Sequence, residues 1–122
     1  MDMSKYIVGS NGTLIDAAQA IAANRSRCVV VINGGKAVGI LSEGDLLRIL
    51  LRGTDIHSSL LPFINHGFTF LQSRNMSQAL GLFRSRGISL IPILNEDLEL
   101  EDVITIQQML DEVELIQNGS NK

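Results

Sequence analysis

A serine and an aspartate stand three residues apart in Val38-Gly39-Ile40-Leu41-Ser42-Glu43-Gly44-Asp45-Leu46-Leu47-Arg48, where a hydrophobic run gives way to a helical pattern. The junction of a strand with a helix presents unpaired main-chain N–H groups and the positive end of a helix dipole. That setting suits anionic or hydroxyl-rich ligands. A carboxylate at the third helical position can accept hydrogen bonds from the two vicinal hydroxyls of a ribose, and a serine hydroxyl can reach the same sugar or its 5′ phosphate. Arg48, one turn further on, and Arg52 are placed to neutralise that phosphate. The same spacing is also that of a helix capping box, in which two side chains satisfy each other's main-chain donors. Taken alone, these four residues fit capping at least as well as ligand binding.

The other chemically capable residues are sparser. His57 and His66 are nine apart in a linker, without the i, i+4 spacing of a helical zinc pair, and two histidines with one cysteine are too few for a zinc cage. Cys28 opens a β-branched run and reads as a buried, inert thiol. The acidic group Glu96, Asp97, Glu99, Glu101 and Asp102 lacks the central glycine and spacing of a calcium loop, and reads as a solvated hairpin face. Gly34-Gly35 is not followed by Lys-Ser/Thr and reads as a turn. Neither a Ser/His/Asp nor a Cys/His set suggests itself, and tryptophan is absent. The chain is poorly equipped as an enzyme.

Composition narrows the classes further. The 122 residues are 45% hydrophobic and 19% charged, a globular balance. Ten Lys+Arg against thirteen Asp+Glu give a net charge of -3, which offers no footprint for duplex nucleic acid or an anionic membrane. Apolar runs such as 28–32 are far too short to span a bilayer, and the amino terminus has no signal-peptide pattern. With a single cysteine, the expectation is a protein of the reducing cytoplasm.

The elements that must position Ser42 and Asp45 occur twice. At an offset of 62 residues, 8–17 falls on 70–79 with matching residue types. After one added residue, at 63, Val29-Val30-Val31 falls on Pro92-Ile93-Leu94, and Gly39–Ser42 on Asp102–Thr105. Each copy predicts a short strand (6–8; 68–70) and then a helix capped by Thr13 with Leu14, Ala17, Ala18 and Ile21 on one face. In the second copy Met76, Ala79, Leu80 and Phe83 take those places, and the helices end near Asn24 and at Gly87. A hairpin follows (28–32 with 37–41; 90–94 with 100–104), then a closing helix (44–51; 106–115). The order is β-α-β-β-α, twice, with a polar tail over 117–122.

A β-α-β-β-α unit carrying Gly-hydrophobic-hydrophobic-Ser/Thr-x-x-Asp after its hairpin resembles the CBS (cystathionine-β-synthase type) domain, and the chain resembles a tandem pair from about Tyr6 to Leu110. The resemblance implies an α/β fold of two packed motifs, 1–61 with the linker and 62–122 with the tail. It implies a regulatory module with no required cofactor and no catalysis, sensing an adenosyl ligand (AMP, ADP, ATP or S-adenosylmethionine) in the cleft between motifs. It assigns the ribose to Ser42 and Asp45 of the Gly39-Ile40-Leu41-Ser42 motif, and the phosphate to Arg48. Val29 and Val30 would line the adenine slot, with Ile7, Val8 and Phe70 as walls. In the second copy Thr105 matches, but Asp102 replaces the glycine and Gln108 the aspartate, implying a weaker second site. Gly87-Ile88-Ser89-Leu90-Ile91-Pro92-Ile93 is similar to the family's Gly-Ile-x-x-hydrophobic-Pro strand, whose proline is replaced in the first copy by Val29.

A finer likeness, Ser42-Glu43-Gly44-Asp45 followed by Arg48 and Gly53, is to CBS pairs attached to sugar-phosphate isomerases and nucleotidyltransferases. It implies an attached or separate regulated enzyme of that kind. Pairs of this family form homodimers through their helices, which implies the same here. The alternative is a structural dimerisation or docking module with empty sites, which the degenerate second motif favours.

Overall fold

The computed structural model describes residues 3–120. A 3-10 turn over Ser4–Tyr6 leads into β1 (Ile7–Gly9), α1 (Leu14–Asn24), β2 (Cys28–Asn33), β3 (Lys36–Ser42) and α2 (Glu43–Leu51). After the linker come α3 (Met76–Arg86), β4 (Leu90–Leu94), β5 (Leu100–Thr105) and α4 (Ile106–Ser120). β1 pairs parallel with β2, which pairs antiparallel with β3; β4 and β5 form a second antiparallel pair.

Local chemistry accounts for the boundaries. Thr13 caps α1 with a complete capping box through Asp16, and Asn75 caps α3 by accepting from the Gln78 N–H. Both helices end on a left-handed residue, Arg25 (φ 58°) and Gly87 (φ 64°). Gly34 and Gly35, at φ 58° and 81°, make the tight first hairpin turn. Asn95 organises the acidic second turn by accepting from the N–H groups of Asp97 and Glu99, both at 2.9 Å.

The expected strand over 6–8 is displaced by one residue, because Tyr6 turns inward in the 3-10 turn and is buried. That over 68–70 does not form, and its role shrinks to a single parallel bridge between Leu71 and Ile93. Leu71 donates to the Pro92 carbonyl and accepts from Leu94 N–H, at 3.0 and 2.9 Å. The next bond of such a ladder would be donated by residue 92, and proline has no N–H.

The register also moves the repeat. Val30 pairs with Ile40 as Pro92 pairs with Val103, so Val30, not Val29, is the counterpart of Pro92. The extra residue of the second copy lies in its longer hairpin turn rather than ahead of the strand. The helix closing the second copy runs through Ser120, so 117–120 continue α4 where a polar tail was expected; 121–122 lie outside the described residues.

Alternation along β2 divides the core. Val29 and Val31 pack with Leu14, Ala17 and Ile21 of α1 and with Leu46 and Ile49 of α2. Cys28 and Val30 point the other way, to Leu90, Leu94 and Val103 of the second half. Burial on both faces explains the unbroken apolar run of this strand. The linker belongs to the first half: Leu60 and Ile64 enter its core, and Asn65 bridges Ile40, beyond the boundary expected at residue 61.

Candidate functional site

The hairpin register delivers Ser42 to the end of β3, where it becomes the N-cap of α2 in extended conformation (φ -97°, ψ 161°). Its Oγ accepts from the Asp45 N–H at 3.1 Å, and its own N–H is directed to Asp45 Oδ2 at 3.4 Å. The capping box is therefore real. It also fixes both side chains without using all their lone pairs, since a carboxylate and a hydroxyl each accept more than one hydrogen bond. Arg48 Nη2 donates to Asp45 Oδ1. Partial burial opposes ionisation of Asp45, but the hydrogen bonds from Ser42 and Arg48 outweigh it, and the carboxyl is held below the usual aspartate range.

Ser42 and Asp45 face a cleft of about 580 Å³ between the two halves. Arg27 and Ile40 join them on the first half, Asn65 comes from the linker, and Phe83, Ile88 and Ser89 form the opposite wall. A side pocket of about 270 Å³ opens beside Asp45 and Asn65 and is lined by Arg48, Arg52 and Phe63. The arrangement offers an apolar wall, a hydroxyl–carboxylate pair at a helix N-terminus and two guanidinium groups beyond it. It can hold a molecule with an apolar ring, a polyol and an anionic end, and among the described residues no nucleophile–base pair lines it.

Residues 3–52 match the sequence family described as the CBS domain. No curated protein matches. Among solved structures, a CBS domain protein from Pyrobaculum aerophilum complexed with AMP superposes with a TM-score of 0.73 at 24% identity, covering 89% of this chain and 90% of that one. A CBS domain pair/ACT domain protein from Thermotoga maritima gives 0.73 at 18% identity, covering 92% and 90%. The cytosolic domain of the Mg2+ channel MgtE in complex with ATP gives 0.68 at 16% identity, covering 88% and 44%. The chain has the fold of a CBS domain pair.

The pair is not symmetric in chemistry. In its second motif Thr105 caps α4, accepting from the Gln108 N–H at 3.1 Å and donating its own N–H to Gln108 Oε1 at 3.2 Å. The geometry repeats that of Ser42 and Asp45 with a neutral amide in place of the carboxylate. Thr105 lines a cleft of about 360 Å³ with Arg25, Arg27 and Ser89, and an adjoining one of about 430 Å³ with Lys5, Gln108 and Asp111.

Several residues assigned by resemblance lie elsewhere in the fold. Val29 and Val30 are fully buried in the core and so present no face to the cleft; Pro92 is likewise interior. Ile7 and Val8 are half-buried flanks of the core clusters. Phe70 sits in a separate groove with Phe68, His66, Leu61 and Leu98, in a stretch that forms no strand. Gly39 is where the linker crosses β3. A Cβ there would lie 2.9 Å from Ile64 Cδ1 and 3.0 Å from the Asn65 carbonyl oxygen, so its place is explained by packing.

Sequence reasoning missed Arg27, Asn65, Phe83 and Ser89, which line the main cleft. No spacing in the sequence signals them; only the structure shows that Arg25 (φ 58°), in the place of Gly87 in the second copy, and Arg27 (φ 62°) are left-handed in the turn that enters the cleft. Non-glycine residues in left-handed conformation gather where a turn must present its backbone at a special angle.

Proposed function

We propose that this chain is a regulatory module that binds an adenosyl ligand, AMP, ADP, ATP or S-adenosylmethionine, in the cleft between its CBS motifs. Ser42 and Asp45 take the ribose, Arg48 the phosphate, and Phe83 and Ile88 flank the base. It acts as a homodimer in the cytoplasm, controlling an attached or partner enzyme such as a sugar-phosphate nucleotidyltransferase, and makes or breaks no bond itself.

The observation that carries this reading is the ionised Asp45, held by Ser42 and Arg48 on the first half while the opposite wall of the same cleft comes from the second. A ligand that grips both walls favours one arrangement of the halves over others. Its free energy of binding then becomes a shift of population that a tethered enzyme can sense.

Thermal unfolding against AMP, ADP, ATP and S-adenosylmethionine tests it. A ligand at a hundred times its dissociation constant adds about 2.7 kcal/mol to the native state. The midpoint then rises by about 4 °C or more. A rise with one adenosyl compound, absent in Asp45→Ala, supports the sensor. No rise with any of them at millimolar concentration returns the chain to the second reading, a docking module. The neutral Gln108 favours that reading for the second cleft alone.

A further inference from the structure

The second cleft lacks the carboxylate that a ribose needs, yet the side chains left in it are chemically one-sided. It has two adjoining parts, of about 360 and 430 Å³. Arg25 and Arg27 line the first, Arg25 and Lys5 the second, and Asp111 is the one carboxylate in the lining of either. Among the described residues none of these three cations is in an ion pair; the salt bridges there join Arg48 to Asp45 and Arg74 to Asp102. A chain of net charge -3 thus gathers three cations against one carboxylate around a single hollow. Apart from Ile106 and Tyr6, the other lining side chains are hydroxyls and amides, Ser89, Thr105 and Gln107 among them. The Tyr6 ring is buried, with the Lys5 ammonium 5.3 Å from its centre. Nothing here corresponds to the apolar wall that Phe83 and Ile88 give the main cleft.

The backbone that carries the two arginines is strained. Arg25 ends α1 at φ 58° and Arg27 follows at φ 62°, whereas α3 ends in the same conformation on Gly87. Glycine adopts that conformation freely, and a side chain there crowds its own backbone. The turn is fixed at its middle residue: the Ser26 N–H donates to Asn24 Oδ1, and the Ser26 carbonyl accepts from Ser89 Oγ. The first copy therefore holds arginine at two positions where glycine is the easier choice, and both side chains line the same polar hollow. Strain kept at a cavity in this way points to a ligand rather than to the fold.

We infer that the second cleft binds a compact phosphate anion without a nucleoside, held by Arg25 and Arg27, with Lys5 in the adjoining part. The planar fork of a guanidinium matches the oxygens of a phosphate, and two such forks suit a group of more than one negative charge. Thr105, 2% exposed, accepts from the Gln108 N–H and keeps its hydroxyl hydrogen for a phosphate oxygen. The inference does not rest on the adenosyl reading of the main cleft, and it gives the second cleft a different class of ligand. Arg27 lines both clefts, so Arg25 is the residue that separates them.

Thermal unfolding of wild type, Arg25→Gly and Asp45→Ala tests it, with inorganic phosphate, inorganic pyrophosphate and a hexose 6-phosphate at an ionic strength held constant by sodium chloride. Arg25→Gly removes the guanidinium and relieves the left-handed strain, so its midpoint without ligand is expected at or above that of wild type. At a hundred times its dissociation constant, at least one of the three anions is expected to raise the wild-type midpoint by about 4 °C or more. That rise is lost in Arg25→Gly and kept in Asp45→Ala, and the anion that produces it names the form of the ligand. No rise beyond that of chloride overturns the inference. A rise kept in Arg25→Gly, or lost in Asp45→Ala, places the anion outside the second cleft and overturns it too. A midpoint of unliganded Arg25→Gly below wild type shows that the arginine serves the fold, and overturns the strain argument. An adenosyl-induced rise that Arg25→Gly abolishes gives this cleft to the nucleotide, which overturns the inference and leaves the adenosyl reading standing.

Discussion

Ser89 Oγ donates a hydrogen bond to the main-chain carbonyl of Ser26, across the seam between the two halves. The accepting turn is itself held in place. The Ser26 N–H donates to Asn24 Oδ1 at 2.7 Å, and Asn24 Nδ2 donates to the carbonyls of Lys5 and Cys28, each at 3.0 Å. The neighbouring main chain does the same job in both copies: the Arg27 carbonyl accepts from Glu43 N–H and the Ser89 carbonyl from Ile106 N–H, at 2.8 and 3.1 Å. The start of each closing helix is thereby tied to the strand that enters the clefts, and the two entering turns are tied to each other.

Removing that seam bond has a measurable cost. Ser89→Ala leaves the Ser26 carbonyl without its side-chain donor, and the expected loss is about 1 kcal/mol. Urea denaturation reads it as a lower midpoint with an unchanged slope. An unchanged midpoint would show that this bond adds nothing to the shared apolar core around Val30, Leu90 and Val103 and to the main-chain bond from Ala37 to Leu98.

Gly39→Ala is expected to destabilise for a steric reason. The added methyl meets the Ile64 side chain and, at 3.0 Å, the Asn65 main-chain oxygen, which the Ile40 N–H holds at 3.0 Å. Overpacking of this kind costs about 1–3 kcal/mol. Thermal unfolding with wild-type stability would mean that the linker gives way freely.

Asp45 makes stability depend on acid. Its carboxyl is held below its ordinary range, so the ionised form is favoured by folding. The stabilisation is complete above the unfolded aspartate value, about 3.9. It is lost as pH falls through the lower folded value. The difference in thermal midpoint between wild type and Asp45→Asn is therefore largest near neutrality and shrinks below about pH 4. A difference independent of pH would assign Asp45 to capping without a charge effect.

Cys28 lines the main cleft yet is expected to be unreactive. Burial pushes its thiol up to about 12, and the negative charge of Asp45 adds to the rise. A disulfide reagent at pH 8 should label it only as fast as the protein unfolds, because the thiolate is the reacting species. Rapid labelling of the folded chain would contradict this.

Much of this architecture was legible in the residues. β2 is readable from its β-branched run, and α3 from the spacing of Met76, Ala79, Leu80 and Phe83 and from Gly87, whose left-handed conformation ends it. The Ser42–Asp45 pair was readable for the same reason: capping chemistry is local. What was not legible depends on tertiary register. Val29 and Val30 look alike in sequence, but β2 has the other half on one face and its own helices on the other, and both residues are interior. The weakening of the second copy's first strand follows from Pro92, whose missing N–H matters only once it is known to lie beside Leu71. Phe83 and Ser89 reach the cleft from the opposite half, and no spacing within one motif encodes that.

The central claim, an adenosyl ligand gripped by Ser42 and Asp45 between the halves, is tested most directly by isothermal titration of wild type and Asp45→Ala with AMP, ADP, ATP and S-adenosylmethionine. Asp45→Ala keeps the Ser42 cap and loses only the reciprocal half of the capping box, which costs about 1 kcal/mol of stability or less, and circular dichroism confirms that it stays folded. The account predicts saturable binding of at least one of these compounds to wild type, weakened tenfold or more by Asp45→Ala. Equal affinity for both proteins, or no heat from any of the four at millimolar concentration, would contradict it.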